Sequence, residues 1–169
     1  MELRQEIMHA LAKERISWVD PKNFHITLRF LGDTSPGDVD KIAGSMNSAG
    51  FRQNSRHVPV SGVGSFGPAR RPRVIWAAFG QELWIREIKS TLDEFLEDLG
   101  FSAQNQDFTP HLTLGRIRSL KDVSAYHKIM KEIKGKTCEA VEIDRIIYYR
   151  SMLGPKGPQY SILSEVLFN

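Results

Sequence analysis

The chain is nearly free of cysteine. Cys138 is the only one in 169 residues, which excludes an internal disulfide and any zinc or iron–sulfur site built from several thiolates. We interpret Cys138 as a small core residue. The fold must therefore be held together by an apolar core, and a chain of this length can bury one without covalent cross-links.

Long apolar runs are missing as well. A membrane-spanning helix needs about 20 consecutive apolar residues, and no stretch of the sequence approaches that length. Residues 1–17 carry charges throughout and lack the continuous apolar segment of a secretory signal. The sequence therefore predicts a cytoplasmic protein with no membrane partner.

The sequence also lacks a glycine-rich phosphate-binding loop. Residues 62–67 read Gly-Val-Gly-Ser-Phe-Gly, but they have neither the Gly-Lys-Ser/Thr of a P-loop nor the glycine spacing of a dinucleotide fold. We interpret them as the end of a strand with a turn. Any phosphate chemistry must then depend on side chains elsewhere.

Arginine, by contrast, is concentrated in a few places. The net charge is only +3, yet arginines cluster within residues 70–73, 116–118 and 145–150. Planar guanidinium groups suit phosphate oxygens, so these stretches are compatible with a nucleotide or RNA partner. For any single arginine, a solvated surface position is the ordinary alternative.

One four-residue pattern, His–apolar–Thr–Leu, occurs twice. It lies at residues 25–28 and again at 111–114, 86 residues later. With five His and six Thr in the chain, random placement would give roughly 0.18 His-x-Thr pairs. The repeat is therefore the strongest functional signal in the sequence.

Each copy of this pattern alternates in the manner of a β-strand with one buried face. Side chains at positions i and i+2 of a strand point to the same side, so His25 is predicted to project with Thr27, and His111 with Thr113. Gly115 shares the parity of the second pair, and its missing side chain is predicted to leave room there for a ligand.

Apolar periodicity and turn residues predict four helices and six strands. The helices cover 3–13, 38–46, 83–99 and 122–133, and the second follows an N-cap at Ser35 with Pro36 at its first position. The strands cover 24–31, 58–66, 74–79, 139–149, 159–167 and the second motif. In the first motif strand, the apolar row that ends at Phe30 is predicted to be buried. The last two strands are predicted to form a hairpin around a turn at 153–158.

Each half of the chain supplies a motif strand, at least one further strand and a helix that can cover one face of a sheet. The sequence therefore predicts an α+β fold with internal pseudo-symmetry. No linker is long enough to separate independent domains, so residues 1–169 are expected to form one domain of two intertwined lobes. We expect the protein to be a monomer.

Two histidines that face each other across a cleft can divide acid–base work. The unperturbed pKa of histidine, about 6.5, lets one ring be neutral while the other is charged near pH 7. Displacement at phosphorus needs an acid and a base on opposite sides, and two strands from two lobes would meet that requirement. The threonine hydroxyls can donate hydrogen bonds to the non-bridging oxygens. This scheme requires no metal ion and no other cofactor.

The residues around both motifs resemble the 2H phosphoesterase superfamily, and most closely its RNA 2′,3′-cyclic phosphodiesterases, also called 2′-5′ RNA ligases. The first family signature is similar to residues 18–32 and the second to residues 108–116. A middle segment, Phe66-Gly67 followed by residues 72–76, is similar too. The resemblance covers residues 16–167, and the paired signatures are more specific to the superfamily than to one substrate.

The resemblance implies a bilobal fold of two antiparallel sheets flanked by helices, with the catalytic strands lining a groove between the lobes. It implies that His111 is the base that activates water. His25 would then be the acid that protonates the departing 3′ oxygen of an RNA 2′,3′-cyclic phosphate end, which leaves a 2′-phosphomonoester. Thr27 and Thr113 would hold the phosphate. Arg116 is a candidate either for a phosphate contact or for a surface salt bridge.

One feature departs from the family. Its members usually open with a strand of alternating apolar residues, whereas residues 2–7 of this sequence already have the pattern of the first helix. The opening strand is therefore expected to be missing. Its loss would leave the sheet of the first lobe incomplete and expose a strand edge.

Other assignments stay open at this point. The same groove could serve as an RNA-end binding or 2′-5′ RNA ligation module, since ligation is the hydrolytic chemistry run in reverse. A metal hydrolase would need His25 and His111 as ligands, but neither has a carboxylate or third histidine at a suitable spacing, so no metal is expected. Phe66 is the candidate for stacking on a base, and Trp76 is expected in the core.

Overall fold

The structure is a computed structural model of the chain that describes residues 2–48, 51, 53–102, 107–154 and 157–169. For residues 2, 48, 137–139, 153 and 157 it describes the backbone without the side chain. The expected core packing of Cys138 and the middle of the turn predicted at 153–158 lie outside the described part.

The described elements are four α-helices and seven strands. Helices α1 to α4 cover Glu2–Ala10, Pro36–Ser45, Glu82–Asp98 and Val123–Ile133. Strands β1 to β7 cover Arg15–Trp18, Arg56–Phe66, Val74–Phe79, Leu112–Ser119, Thr137–Ile143, Arg145–Gly154 and Gly157–Leu167. Short 3₁₀ helices lie at Pro21–Asn23 and Met46–Ser48. The predicted α+β class is confirmed.

The strands form two sheets. One has the order β1-β4-β3-β2-β5, and the other is the pair β6-β7. The pairings β1–β4, β4–β3, β3–β2 and β6–β7 are antiparallel. The predicted C-terminal hairpin is confirmed, with a register that runs from Arg145↔Leu167 to Gly154↔Gly157.

Helix boundaries follow the capping signals in the sequence. Ser35 caps α2 because its side-chain oxygen accepts a hydrogen bond from the backbone N–H of Asp38 at 3.2 Å, and Pro36 stands where a missing N–H costs little. Asp122 caps α4 in the same way, because its side-chain oxygen accepts a hydrogen bond from the backbone N–H of Ala125 at 2.9 Å. Helix α3 ends before Gly100, whose φ of 94° suits a residue without Cβ.

The chain divides into two compact units, each assembled from three segments. Unit 1 comprises residues 1–28, 58–83 and 108–141, and unit 2 comprises residues 29–57, 84–107 and 142–169. These units do not correspond to the two halves of the sequence. Both His–apolar–Thr–Leu motifs belong to unit 1, whereas we expected each lobe to supply one.

Each unit has its own buried apolar residues, which supply the main stabilisation of such folds at about 25 cal/mol per Å². In unit 1 they come mainly from α1, the five-stranded sheet and α4, and include Leu3, Ile7, Val58, Val60, Ile75, Leu114 and Tyr126. In unit 2 they include Ile42, Met46, Phe51, Ile85, Ile88, Leu96 and Phe168. Aromatic rings also pair edge to face in unit 2, with 5.6 Å between the centroids of Phe51 and Phe95.

The prediction of a strand over residues 24–31 is wrong. This stretch makes a single β-bridge, from Ile26 to Leu112. The chain between β1 and the bridge forms the 3₁₀ helix at residues 21–23, capped by Asp20. The alternating pattern alone therefore does not produce a paired strand here.

The residues just past the first motif also differ from the prediction. Phe30 is 71% exposed instead of buried. Arg29 belongs to unit 2, where its guanidinium Nη1 donates to Asp93 Oδ1 at 2.9 Å and its side chain is only 4% exposed. A guanidinium so buried needs a paired carboxylate, and we assign Arg29 a structural role in unit 2.

The strand predicted over residues 139–149 is two strands separated by Asp144. Strand β5 joins the five-stranded sheet, and β6 pairs with β7. The carbonyl oxygen of Asp144 accepts a hydrogen bond from the backbone N–H of Phe168 at 2.7 Å. Two hydrogen bonds from Arg145 to its carboxylate hold the pKa of Asp144 below its usual value. The apolar alternation is interrupted at Asp144 and Arg145, but the prediction of one continuous strand ran across these two residues.

Candidate active site

The two motifs meet within unit 1 through one backbone bridge. Ile26 pairs antiparallel with Leu112, and these are the apolar residues between His and Thr in each copy. In antiparallel pairing, the residue before one partner lies opposite the residue after the other. His25 therefore lies beside Thr113, and Thr27 beside His111. Leu112 is 4% exposed, so alternation directs the four polar side chains away from the core.

Each histidine ring is oriented by a hydrogen bond of the same kind, between its Nδ1 and the backbone carbonyl oxygen two residues earlier. The Nδ1 of His25 lies 2.8 Å from the carbonyl oxygen of Asn23, and the Nδ1 of His111 lies 2.8 Å from the carbonyl oxygen of Thr109. A carbonyl oxygen can only accept, so Nδ1 carries a proton in each ring. Nε2 is therefore the nitrogen through which each ring can take or give a proton in catalysis.

Two aromatic rings pack against His111. The ring centroid of Phe66 lies 4.8 Å from that of His111 at an interplanar angle of 87°, and the centroid of Trp76 lies 6.2 Å away. Phe66 and Trp76 also contact each other at 5.2 Å. We expected Trp76 in the core, but it is half-buried beside His111. The sequence signal for this is the glycine at position 64, which lies opposite Trp76 and leaves room for the indole.

The strand register defines which other residues share the face of the sheet with Thr113. One cross-strand row consists of Gly64, Trp76 and Thr113, and the next of Phe66, Val74, Arg116 and Ser17. The residues of a row lie on the same face, and so do alternate residues along β2 and β3. Phe66, Trp76, Thr113 and Arg116 therefore lie on one face, which we call the histidine face.

A β-bulge in β4 is what brings Arg116 to the histidine face. The register with β3 shifts by one residue between Ile75 and Trp76, since Trp76 pairs with Thr113 while Ile75 pairs with Gly115. The extra residue reverses the alternation of β4 beyond Thr113. Without the bulge, Arg116 would face the opposite side of the sheet.

The bulge also overturns the expectation for Gly115. Gly115 lies on the face opposite Thr113, and a Cβ there would lie 2.9 Å from side-chain atoms of both Ile16 and Trp18. The space that we expected for a ligand is filled by two side chains of β1. The small size of Gly115 thus serves the pairing of β1 with β4.

Arg116 itself is exposed and has no ion-pair partner among the described residues. The sequence left two roles open for Arg116, a phosphate contact and a surface salt bridge. The described contacts contain no salt bridge of Arg116. Its guanidinium therefore remains available on the histidine face.

Helix α4 covers the other face of the same strand end, a contact that sequence reasoning missed. The hydroxyl of Tyr126, which is fully buried, lies 2.5 Å from the Oγ of Ser65, the residue next to Phe66. Burial raises the pKa of Tyr126. His127 Nε2 lies 2.8 Å from the carbonyl oxygen of Ala69. Helix α4 therefore holds both the end of β2 and the loop that follows it.

The described residues contain no group of three His, Cys, Asp or Glu side chains placed to hold a metal ion. No helix in the same part of the chain is long and apolar enough to cross a bilayer. The side chains gathered at the site are two imidazoles, two hydroxyls, a guanidinium and two aromatic rings. Such a set can exchange protons, hydrogen-bond an oxyanion and stack on a planar ring.

Comparison with known proteins identifies the family of this chain. The family model described as "LigT like Phosphoesterase" matches residues 1–76 and 81–160. An RNA 2′,3′-cyclic phosphodiesterase of Aeropyrum pernix is 33% identical over 165 residues, which cover 97% of this chain and 92% of the relative. An RNA 2′,3′-cyclic phosphodiesterase of Thermotoga maritima is 32% identical over 167 residues, with 96% and 86% coverage.

Solved structures share the fold. A crystal structure of a Thermus thermophilus protein matches with a TM-score of 0.70 and 22% identity, over 99% of this chain and 92% of that one. The crystal structure of E. coli LigT complexed with 3′-AMP matches with a TM-score of 0.69 and 22% identity, over 99% and 91%. At such identities the likeness concerns the fold alone. The family model and the two relatives go further: the chain belongs to the LigT-like family of 2H phosphoesterases.

Proposed function

We propose that this protein hydrolyses RNA 2′,3′-cyclic phosphate ends to 2′-phosphomonoesters with two histidines and without a metal ion. The observation that carries the proposal is the bridge between Ile26 and Leu112, which sets two His-x-Thr sequences side by side with both Nδ1 atoms engaged by backbone carbonyls. The name shared by the Aeropyrum and Thermotoga relatives supports the substrate class.

The reaction needs one base and one acid. Nε2 of His111 takes a proton from water as the water oxygen bonds to phosphorus. The bond from phosphorus to the 3′ oxygen breaks on the opposite side, and Nε2 of His25 gives that oxygen a proton. Each ring ends in the protonation state with which the other began, so a proton exchange with solvent restores the enzyme.

The other polar groups would stabilise the charge that develops on the phosphoryl oxygens. The hydroxyls of Thr27 and Thr113 flank the two imidazoles and can donate to the non-bridging oxygens. Arg116 adds a positive charge from the histidine face, where its planar donors suit a phosphate. Phe66, half-buried against His111, offers an aromatic surface for the terminal base.

The roles of the histidines are tested with His25→Ala and His111→Ala. We expect each change to lower kcat for a 2′,3′-cyclic nucleotide by about 10²- to 10⁴-fold, the contribution of a positioned acid or base, while circular dichroism shows a folded protein. His9→Ala is the matched control, because His9 is an exposed residue of α1 and should leave kcat unchanged. Undiminished turnover in both site variants would reject the assignment.

The mechanism makes two further demands on the same assay. Turnover should persist in excess EDTA and should show a bell-shaped dependence on pH whose two limbs belong to the histidine pair. End-group analysis should find the phosphate on the 2′ oxygen. Loss of activity in EDTA, with recovery on adding a divalent ion, would contradict the metal-free scheme.

A further inference from the structure

One end of the five-stranded sheet carries a concentration of arginines. At this end β2 finishes at Phe66, a loop leads to the start of β3 at Val74, and the last part of β4 runs alongside. We call residues 67–73 and 115–121 the arginine end. Their charged residues are all basic, namely Arg70, Arg71, Arg73, Arg116, Arg118 and Lys121. The chain as a whole has a net charge of only +3, so this end is far more positive than the average surface.

Backbone hydrogen bonds hold the two segments of the arginine end side by side. Within the loop, the N–H of Arg73 donates to the carbonyl oxygen of Phe66 at 2.8 Å, and the N–H of Ile117 donates to the carbonyl oxygen of Arg73 at 2.8 Å. His127 of α4 engages the carbonyl oxygen of Ala69. The charges therefore sit on a fixed frame, which lowers the entropy cost of binding a partner.

The arginines of this end are not neutralised within the described part of the chain. All five are exposed, and no described ion pair involves them. Two acids that adjoin this end are committed to backbone N–H groups. Glu14 accepts from Lys121 at 2.6 Å, and Asp122 caps α4. A polyanion would therefore meet a positive surface without displacing an existing ion-pair partner of these arginines.

The arginine end is continuous with the histidine face. The register of β4 with β1 shifts by one residue at Arg118, so alternation does not decide its side, and a side-chain contact places the guanidinium of Arg118 on the histidine face. Its Nε donates to the Oγ of Ser17 at 3.1 Å, and Ser17 pairs with Arg116 across the strands. The two register shifts leave three to four strand steps between Thr113 and Arg118, roughly 10–13 Å along β4 at a rise of about 3.3 Å per step. One nucleotide whose phosphate is held at Thr113 is too short to occupy both positions.

We infer that the arginine end binds the phosphodiester backbone of single-stranded RNA on the 5′ side of the reacting nucleotide. The inference rests on the proposed function, because it takes the reacting phosphate to lie at the two His-x-Thr sequences. Only the 5′ side is available, since a 2′,3′-cyclic phosphate ends the chain. The arginine end thereby makes cyclic-ended oligonucleotides better substrates than cyclic mononucleotides.

The test compares a cyclic-ended oligoribonucleotide with a cyclic mononucleotide. The variants are Arg70→Ala/Arg71→Ala and Arg118→Ala, and the matched control is Lys131→Ala/Lys134→Ala, which removes two exposed charges at the far end of α4. For the double arginine variant we expect the KM of the oligonucleotide to rise about tenfold, the effect of two screened charge contacts. KM and kcat for the mononucleotide should stay unchanged, and the lysine control should match the wild type with both substrates.

Binding measured without turnover separates the inference from the proposed function. Fluorescence anisotropy with a labelled oligoribonucleotide ending in a 2′-phosphate should show weaker binding by the arginine variants. Their plot of log affinity against log salt should be shallower by about 0.7 per lost contact. Arg70→Lys/Arg71→Lys should recover most of the affinity.

Each contrary result has a definite meaning. Equal oligonucleotide affinity and KM in wild type and arginine variants, or equal losses in the lysine control, would overturn the inference. A wild type that hydrolyses neither substrate would overturn the proposed function, while the anisotropy comparison would still decide whether the arginine end binds RNA.

Discussion

At the scale of single residues, the surroundings of His111 depend on Gly64 of β2, a residue without a side chain. Gly64 lies directly across from Trp76, and a Cβ on Gly64 would lie 2.2 Å from Cζ2 of the indole. The indole Nε1 is buried without a hydrogen-bond partner among the described residues, so shape alone fixes the ring. Trp76 and Phe66 in turn flank His111. A glycine of β2 thus sets the position of the proposed base.

We therefore predict that Gly64→Ala lowers both stability and turnover. The added methyl group must displace the indole, an overpacking change that costs about 1–3 kcal/mol of unfolding free energy, and the moved ring no longer supports His111. Urea unfolding and kcat on a cyclic nucleotide measure the two effects.

The matched control is Gly44→Ala in α2, where a Cβ would meet nothing within 4 Å. Because alanine favours a helix over glycine, this change should leave the protein as stable or stabilise it by up to about 1 kcal/mol. If Gly64→Ala behaved like Gly44→Ala, the indole would not depend on the space at Gly64.

The residues of the candidate site differ in how far the sequence could predict them. The spacing inside each copy was enough to predict that His25 projects with Thr27 and His111 with Thr113, because a spacing of two along the chain is a local property. The side on which Gly115 and its neighbour Arg116 lie was not predictable from alternation. A single inserted residue in β4 reverses the parity, and the cause lies in the pairing with another strand.

At the scale of secondary-structure elements, α4 supports the site from the far side of the sheet. Ser65 and Phe66 are consecutive residues of β2, so their side chains point to opposite faces. Ser65 meets Tyr126 of α4, while Phe66 meets His111. One helix contact therefore fixes a strand end whose other side carries the aromatic ring of the site.

Replacing Tyr126 by Phe should measure this support. Loss of the buried hydrogen bond should cost about 1 kcal/mol of unfolding free energy, and a double-mutant cycle with Ser65→Ala should show that the two changes are not additive. Two changes that add independently would exclude a coupling between the hydroxyls.

The same substitution should alter the response to alkali. Burial raises the pKa of Tyr126 above its usual value of 10.0, so the folded state holds this proton more tightly than the unfolded state. The corresponding stability is present below the unfolded pKa and is lost as the pH rises through the folded pKa. Tyr126→Phe should therefore lose less stability than the wild type above about pH 10, as measured by urea unfolding across that range.

Elements were predictable where local chemistry determines them. Helix α2 was predicted from Ser35 and Pro36, and strand β3 was predicted over Val74–Phe79 as observed. The failures concern pairing between distant segments. Residues 24–31 pair with β4 only through the bridge from Ile26 to Leu112, and the break at Asp144 coincides with a hydrogen bond from the N–H of Phe168 near the end of the chain.

At the scale of the whole molecule, the two compact units do not coincide with the two halves of the sequence, because each unit is assembled from three separate segments of the chain. Internal similarity between the halves led us to expect one motif in each lobe, but strand β4 pairs with β1 and β3, which draws the second motif into the same unit as the first. Sheet pairing between distant segments decides such membership. The sequence repeat could show that two copies exist without showing which unit holds them.

The bridge between Ile26 and Leu112 has a consequence for the order of events in folding. It closes a loop of more than eighty residues, and the chain entropy lost in such a closure must be offset by contacts that form only with it. We predict that, on dilution from urea, the far-UV helix signal recovers before catalytic activity does. Stopped-flow circular dichroism and timed activity assays would measure the two rates, and simultaneous recovery would contradict the prediction. If activity recovers later than the helix signal, the return of catalysis reports when this long-range pairing forms, whereas the helix signal reports the earlier formation of the helices.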